Sequence, residues 1–260
     1  MGSAETPRGL MEFAVDAAWQ AGKITLEYFQ TPIVTDLKAD LSPVTIADRR
    51  AERLLRELIE RTFPDHAILG EEEGETGPPD ARFRWILDPI DGTASFIHGV
   101  PIYGVMVAVE ERGEPLVGVV NMPALGEIVY AARGEGCFWN GRRAAVSQIS
   151  LLDDALVLAT DVSTMAKFGR QGAFDRLCAA SKMQRTWGDC YGHILVATGR
   201  AEVMLDPIMN LWDTAALAPI VVEAGGTFTD WAGAATHIAP EALSTNGLVF
   251  DDVVALIGGD

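Results

Sequence analysis

An α+β half followed by an α/β half is the architecture this sequence predicts, and three observations predict it. Two stretches of helical periodicity stand near the start. Short, turn-punctuated β segments follow between Tyr103 and Ser147. Beyond Ser147, strand and helix patterns alternate. A seam is expected near residues 145–150, giving an N-terminal α+β domain over 1–147 and a C-terminal α/β domain over 148–260.

From about Leu10 to Phe29, the residues Met11, Val15, Ala18, Trp19, Gly22 and Leu26 recur at helical spacing. Pro43 and Thr45 precede a second helix, Ile46 to Phe63, with Leu54, Leu55, Leu58 and Ile59 on one face; Pro64-Asp65 ends it. A short apolar run, Ala67-Ile68-Leu69, leads into an acidic Gly/Pro-rich stretch from Gly70. Phe83 to Leu87 then reads as a strand entering Asp88-Pro89-Ile90-Asp91-Gly92. An antiparallel meander is expected next, with turns at Arg112-Gly113, Pro123-Ala124, Gly134–Gly136 and Asn140-Gly141. The last is a two-residue hairpin signal, because both central positions need positive φ. After it come a strand over Ala155–Ala159, helices over Gly172–Ser181 and Tyr191–Thr198, and a strand over Ala201–Leu205. A helix over Asp213–Glu223 and a strand over Thr227–Asp230 complete the pattern. Pro219 sits inside that last helix and implies a kink.

Composition narrows the function. The 260 residues carry 37 Asp+Glu against 20 Lys+Arg, a net charge of −17, so the mean field repels nucleic acid and anionic membrane surfaces. No apolar run approaches the ~20 residues of a membrane span. The opening MGSAETPRGL lacks a basic start followed by an apolar core, so no secretory signal is expected. Cys137, Cys178 and Cys190 are odd in number and far apart, which suits a reducing cytoplasm rather than a disulfide framework.

The chemistry concentrates in Trp85-Ile86-Leu87-Asp88-Pro89-Ile90-Asp91-Gly92-Thr93. An apolar strand delivers Asp88, Pro89 forces a turn, and Asp91 returns a second carboxylate with the Ile90 carbonyl free to point inward. Gly92 permits close backbone approach, and Thr93-Ala94-Ser95 opens a helix whose N–H groups suit an anion. The same dipeptides also suit an ordinary β-turn with solvated aspartates. Gly70-Glu71-Glu72-Glu73 reads alone as a solvated acidic loop, and Asp213 in Leu211-Trp212-Asp213-Thr214 reads alone as a helix cap. Together they offer hard oxygen ligands from three segments, the kind Mg²⁺ takes. A cation pair about 3.5–4 Å apart neutralises phosphoryl and leaving-group charge and makes water a competent nucleophile, so an acidic protein can still take an anionic ester.

In order and spacing, Gly70-Glu71-Glu72, Trp85 to Thr93 and Trp212-Asp213-Thr214-Ala215-Ala216 resemble the signatures of the inositol monophosphatase family. The similarity extends through Glu223-Ala224-Gly225-Gly226. The resemblance implies a layered αβαβα sugar-phosphatase fold and Mg²⁺-dependent hydrolysis of phosphate monoesters. It implies two or three ions, with Mn²⁺ substituting and Li⁺ inhibiting, and a homodimer. Carried across, Glu71, Asp88, the Ile90 carbonyl, Asp91 and Asp213 are metal ligands. Gly92 and Thr93 contact phosphate, Thr93 with Glu71 activates water, and Asp48 lies near a third metal position.

Substrate choice falls to Arg185-Thr186-Trp187-Gly188-Asp189-Cys190-Tyr191-Gly192-His193 and Leu205-Asp206-Pro207. Where inositol-hydrolysing relatives have small residues and Glu, this chain has Asp189 and Asp206, a pair better suited to a cation than to a polyol. These runs resemble the histidinol-phosphate phosphatase branch of the family. Asp189 as a cap of the following helix is the competing reading. The expected substrate contacts are Asp91, Arg185, Asp189, Asp206 and Asn210; His193 is expected on a helix face and His98 in a structural role. Three other readings remain: a broad inositol or sugar monophosphatase, a phosphatase with a D-x-D nucleophile (here the spacing is D-x-x-D), and a non-catalytic metal-binding module.

Overall fold

Helical periodicity at the start of the chain becomes two packed helices, α1 (Pro7–Tyr28) and α2 (Ile46–Thr62). The computed structural model describes residues 5–37 and 43–258; the first four residues of the MGSAETPRGL reading lie outside them. Thr6 starts α1 by accepting from Gly9 N–H, with Pro7 at the first helical position where its missing donor costs nothing. Thr45 and Asp48 form a capping box at α2. Between the two helices, β1 (Thr35–Leu37) pairs with β2 (Pro43–Thr45).

The first large sheet contains β3 (Ala67–Gly70), β4 (Gly74–Thr76) and β5 (Phe83–Asp91), followed after the short α3 (Thr93–Ile97) by the expected meander. Its members are β6 (Gly104–Glu111), β7 (Glu114–Met122), β8 (Glu127–Ala132), β9 (Gly136–Trp139) and β10 (Arg142–Arg143), in the order β10-β9-β8-β7-β6-β5-β3-β4. All pairs are antiparallel except β3 with β5. Asn140 and Gly141 both take positive φ, as the hairpin requires. The acidic stretch after Gly70 contains β4, a strand its composition did not suggest.

The second half runs β11 (Leu156–Ala159), α4 (Val162–Lys167), α5 (Gln171–Ala180), β12 (Met183–Arg185), α6 (Asp189–Ala197) and β13 (Val203–Asp206). It continues with α7 (Leu211–Thr214), α8 (Leu217–Glu223), β14 (Thr227–Thr229), β15 (Ala242–Thr245) and α9 (Phe250–Ile257). Its sheet is mixed, in the order β12-β11-β13-β15-β14. The single helix expected over Asp213–Glu223 is two helices. Pro219 occupies the first turn of α8, where a backbone N–H has no partner within the helix, so the break precedes it. The kink expected there is therefore a separation.

Period-two burial builds the layers. Trp85, Leu87, Val105, Val107, Val109, Val117 and Val119 face α1 and α2. Alternate residues Ile86, Met106, Ala108, Val120 and Met122 face a middle layer of α6 and α8. On the other side of the second sheet, Val157, Ala159, Val203 and Leu205 pack on α5 and α9. Each fully buried aliphatic side chain contributes about 1.5–3 kcal/mol. The result is the layered αβαβα fold.

One polar bridge spans the layers. Glu110 of β6 is 1% exposed, takes Arg84 Nε and Nη2 at 3.0 and 2.7 Å, and meets His237 Nε2 at 2.6 Å. Burial pushes its pKa up, but the hydrogen bonds from His237 and Arg84 outweigh it and hold the carboxyl below its ordinary value. The His237 carbonyl accepts the Thr214 hydroxyl at 2.5 Å, tying the bridge to α7. Because the folded pKa is depressed, the stabilisation is present above the unfolded value and is lost as pH falls through the folded one. Glu110→Gln is expected to cost about 1–3 kcal/mol at pH 7 in urea denaturation, less toward pH 4, because it removes the buried charge that Arg84 and His237 face. A loss below about 0.5 kcal/mol contradicts the bridge.

Candidate active site

β5 carries Asp88 into the middle of the molecule and, through a register irregularity between Asp88 and Asp91 in place of the expected turn at Pro89, sets Asp91 beside it at its end. Carboxylate atoms of Asp88, Asp91 and Asp213 all lie within 4.8 Å of one another. Asp213 arrives from α7, where its Oδ2 accepts the Asn210 backbone N–H at 2.6 Å and the Asn210 amide at 3.3 Å. Asp88 Oδ1 takes Ile90 N–H at 3.0 Å, fixing the irregularity within β5. Glu71 follows β3, its N–H donating to the Leu87 carbonyl at 3.1 Å, and its side chain interacts with Asp88.

The electrostatic cost is visible in the carboxyl groups. Burial, then the charges of Glu71, Asp91 and Asp213, push Asp88 well up from its ordinary value. Burial, then Asp189 and Asp213, do the same to Asp91. Asp213 is pushed up to about 7 by burial, Glu71 and Asp206, despite the Asn210 hydrogen bonds. Asp189 is pushed up to about 7 by burial, Asp206 and Asp213. The charges that act on Asp88, Asp91, Asp189 and Asp213 are those of other carboxylates. Such a cluster of hard oxygen donors fits a divalent cation, which relieves the repulsion.

The Ile90 carbonyl is not unpaired as expected: the Thr93 hydroxyl donates to it at 3.0 Å, leaving its second lone pair. Gly92 takes φ +77°, and a Cβ there would sit 2.9 Å from Asp189 Oδ2, so only glycine fits between the turn and that side chain. Asp48 is buried, and its Oδ2 accepts Thr45 N–H and Oγ–H at 2.8 and 2.6 Å. Burial raises its pKa, against the Thr45 hydrogen bonds, and Glu71 adds to the rise. It stands near Glu71 but outside the close triad.

A cavity of about 140 Å³ opens beside the triad, lined by Asp91, Thr160, Asp189, Asp206, Met209 and Asp213 among others. Asp189 does not cap α6. That end is held by Asp91, whose Oδ2 accepts Cys190 N–H at 2.6 Å. Asp189 itself adopts φ +53°, a left-handed conformation that Asp tolerates, with its N–H donating to Thr160 Oγ1 at 2.7 Å. Gly188 permits this approach, since a Cβ there would fall 2.2 Å from Thr160 Cα. The Asp189 carboxylate forms no hydrogen bond among the described residues and lines the cavity.

Two expected contacts are not brought in. Arg185 is exposed on β12 and donates to the Gln184 carbonyl. Asn210 is exposed and serves Asp213 instead of lining the cavity. His193 lies on α6 as expected, on its buried face, wholly enclosed between Ser244 and Asp206. His98 is exposed and donates from Nδ1 to the Ala94 carbonyl at 2.8 Å, at the end of α3. Thr160 and Met209 went unnoticed in the sequence; only the Gly188-Asp189 pair hinted at the Thr160 contact.

A convergent carboxylate cluster between two sheets, with a small cavity at its edge, defines the metal-assisted phosphatases of layered fold as the class. The sequence profile described as the inositol monophosphatase family matches residues 7–253. Similar relatives include a histidinol-phosphatase of Chlorobaculum parvum, 46% identical over 95% of this chain and 96% of that one. Another is a histidinol-phosphatase of Mycobacterium tuberculosis, 39% identical over 84% of this chain and 86% of that one. Among solved structures, the extragenic suppressor protein suhB of Bartonella henselae superposes with a TM-score of 0.90 at 27% identity, covering 96% of this chain and 98% of that one. An IMPase of Thermotoga maritima gives 0.87 at 31% identity, covering 96% of each. The chain belongs to the inositol monophosphatase family and is a phosphoric monoester hydrolase. Among the described residues no helix is long and apolar enough to cross a membrane.

Proposed function

We propose that this hydrolase acts with Mg²⁺ on L-histidinol phosphate, releasing L-histidinol and phosphate in histidine biosynthesis. The observation that carries the reading is the Asp189 carboxylate. It is withheld from helix capping, turned by a left-handed backbone, and set with Asp206 in a cavity beside the triad. An ammonium head gains charge-assisted hydrogen bonds there, whereas a polyol gains less. Relatives named for histidinol phosphate, at 46% and 39% identity, support the same reading.

In this proposal Glu71, Asp88, the Ile90 carbonyl, Asp91 and Asp213 hold the Mg²⁺ ions, with Asp48 near a third position. Bound Mg²⁺ supplies charge neutralisation at the phosphoryl group and lowers the pKa of water. The Thr93 hydroxyl spends its proton on the Ile90 carbonyl, so its lone pairs are left to accept from a water and orient it together with Glu71. The N–H groups of Gly92 and Thr93 serve the phosphate oxygens. Water attacks phosphorus directly, the ester P–O bond breaks, and no residue is phosphorylated. Mn²⁺ as a substitute, Li⁺ as an inhibitor, a homodimer and a cytoplasmic location complete the proposal.

A phosphate-release panel tests it. Histidinol phosphate is expected to exceed inositol 1-phosphate, 2′-AMP and fructose 1,6-bisphosphate in kcat/KM by about tenfold or more. Equal rates on histidinol phosphate and inositol 1-phosphate favour the broad monophosphatase reading instead.

A further inference from the structure

Behind the cavity wall lies a polar pair that the phosphoryl chemistry does not use. His193 on α6 is wholly buried, with Nδ1 2.7 Å from Ser244 Oγ of β15 and Nε2 3.4 Å from Asp206 Oδ2 at the end of β13. The ring packs 5.9 Å from the Phe228 ring, so its orientation is walled by apolar surface. Asp206 is 4% exposed and opens into the cavity beside Asp189. An ionised carboxylate has no proton to give, so the imidazole must donate through Nε2. Ser244 Oγ, 2.7 Å from Nδ1, holds the other side of the ring.

We infer that His193, held at Nδ1 by Ser244 and turned with Nε2 toward Asp206, is a positioning residue for substrate selectivity: it orients the Asp206 carboxylate. The cavity thereby keeps two carboxyl groups facing a cationic substrate head. This rests on the histidinol phosphate reading above. An apolar residue would leave the Asp206 carboxylate one hydrogen bond short and free to turn. A ring serving packing alone would make neither contact matter for selectivity.

The quantity to measure is the ratio of kcat/KM for histidinol phosphate to that for inositol 1-phosphate in the Mg²⁺-loaded protein. His193→Phe keeps an aromatic ring and removes both nitrogens. It is expected to lower the ratio about ten- to thirtyfold, chiefly by raising KM for histidinol phosphate. His193→Gln, whose amide can donate toward Asp206, is expected to recover the ratio to within about threefold. Ser244→Ala leaves ring and carboxylate in place and is expected to lower the ratio about three- to tenfold. If His193→Phe fails to fold in a thermal melt, Ser244→Ala and the spectroscopic reading decide. Nitrogen-15 NMR of wild-type imidazoles, with the His193 signal assigned by its loss in His193→Gln, is expected to find its proton on Nε2. A ring with no proton on Nε2 overturns the inference. A wild type that prefers histidinol phosphate, with the ratio unmoved in the folded variants, overturns the His193 role alone. A wild type with no such preference overturns both readings.

Discussion

Asp91→Asn is expected to lower phosphate-ester turnover by at least ~100-fold, the scale of losing a central electrostatic group. Asp91 lies within 4.8 Å of Asp88 and Asp213 and also accepts Cys190 N–H at 2.6 Å, so in the proposed function its charge serves the cation while its shape serves α6. Asparagine keeps the shape and removes the charge, which isolates the electrostatic part. EDTA is expected to abolish turnover in the wild type and added Mg²⁺ to restore it. Near-wild-type activity in EDTA would falsify the metal assignment.

The same charges set a stability signature. Asp189 and Asp213 are pushed up to about 7, and Asp88 and Asp91 well up from the ordinary value, by burial and mutual repulsion. A folded pKa above the unfolded one means the folded state binds more protons in between. Stability is therefore full below about pH 4 for these groups and falls as pH rises toward about 7. Chelated protein is expected to melt lower at pH 8 than at pH 6, and Mg²⁺ to raise Tm more at the higher pH. Asp91→Asn is expected to raise the Tm of chelated protein while abolishing activity, the pattern of a site built for charge rather than for stability.

How much of this was legible followed from how local each signal is. The convergence of Asp88 and Asp91 declares itself because apolar periodicity, Pro89 and Gly92 all act within a few residues, although Pro89 breaks the register of β5 without ending the strand. The hairpin at Asn140-Gly141 does so for the same reason. The break between α7 and α8 was less legible, since apolar periodicity runs through it and Pro219 marks a conflict without placing the boundary. α4, α9 and β12 are short, and their pairing partners lie far along the chain, so no local pattern revealed them. His193 shows the limit most directly. Its partner atoms come from β13 and β15, 13 and 51 residues away, and no periodicity on α6 distinguishes a buried polar pair from a surface histidine. Arg185 and Asn210 fail the other way, because sequence neighbourhood to Asp189 and Asp213 did not carry their side chains into the cavity.

Asp189→Asn is expected to lower kcat/KM for histidinol phosphate about thirty- to a hundredfold, with a far smaller loss on inositol 1-phosphate. The argument starts from what the carboxylate does not do. α6 is held by Asp91, and Asp189 makes only a backbone contact, N–H to Thr160 Oγ1, which asparagine preserves. Its left-handed φ of +53° is also one that asparagine adopts readily. The substitution therefore changes charge in the cavity and little else. An ammonium brought into that cavity loses water and depends on Asp189 and Asp206 for replacement hydrogen bonds. Removing one charged partner costs about 2–3 kcal/mol, which is the stated loss in kcat/KM. Inositol 1-phosphate presents hydroxyls that an amide also satisfies, so its turnover reports the catalytic core. Equal losses on the two esters would mean that Asp189 acts through Asp91 and the Gly92 turn, which lie against it, and not through the substrate head.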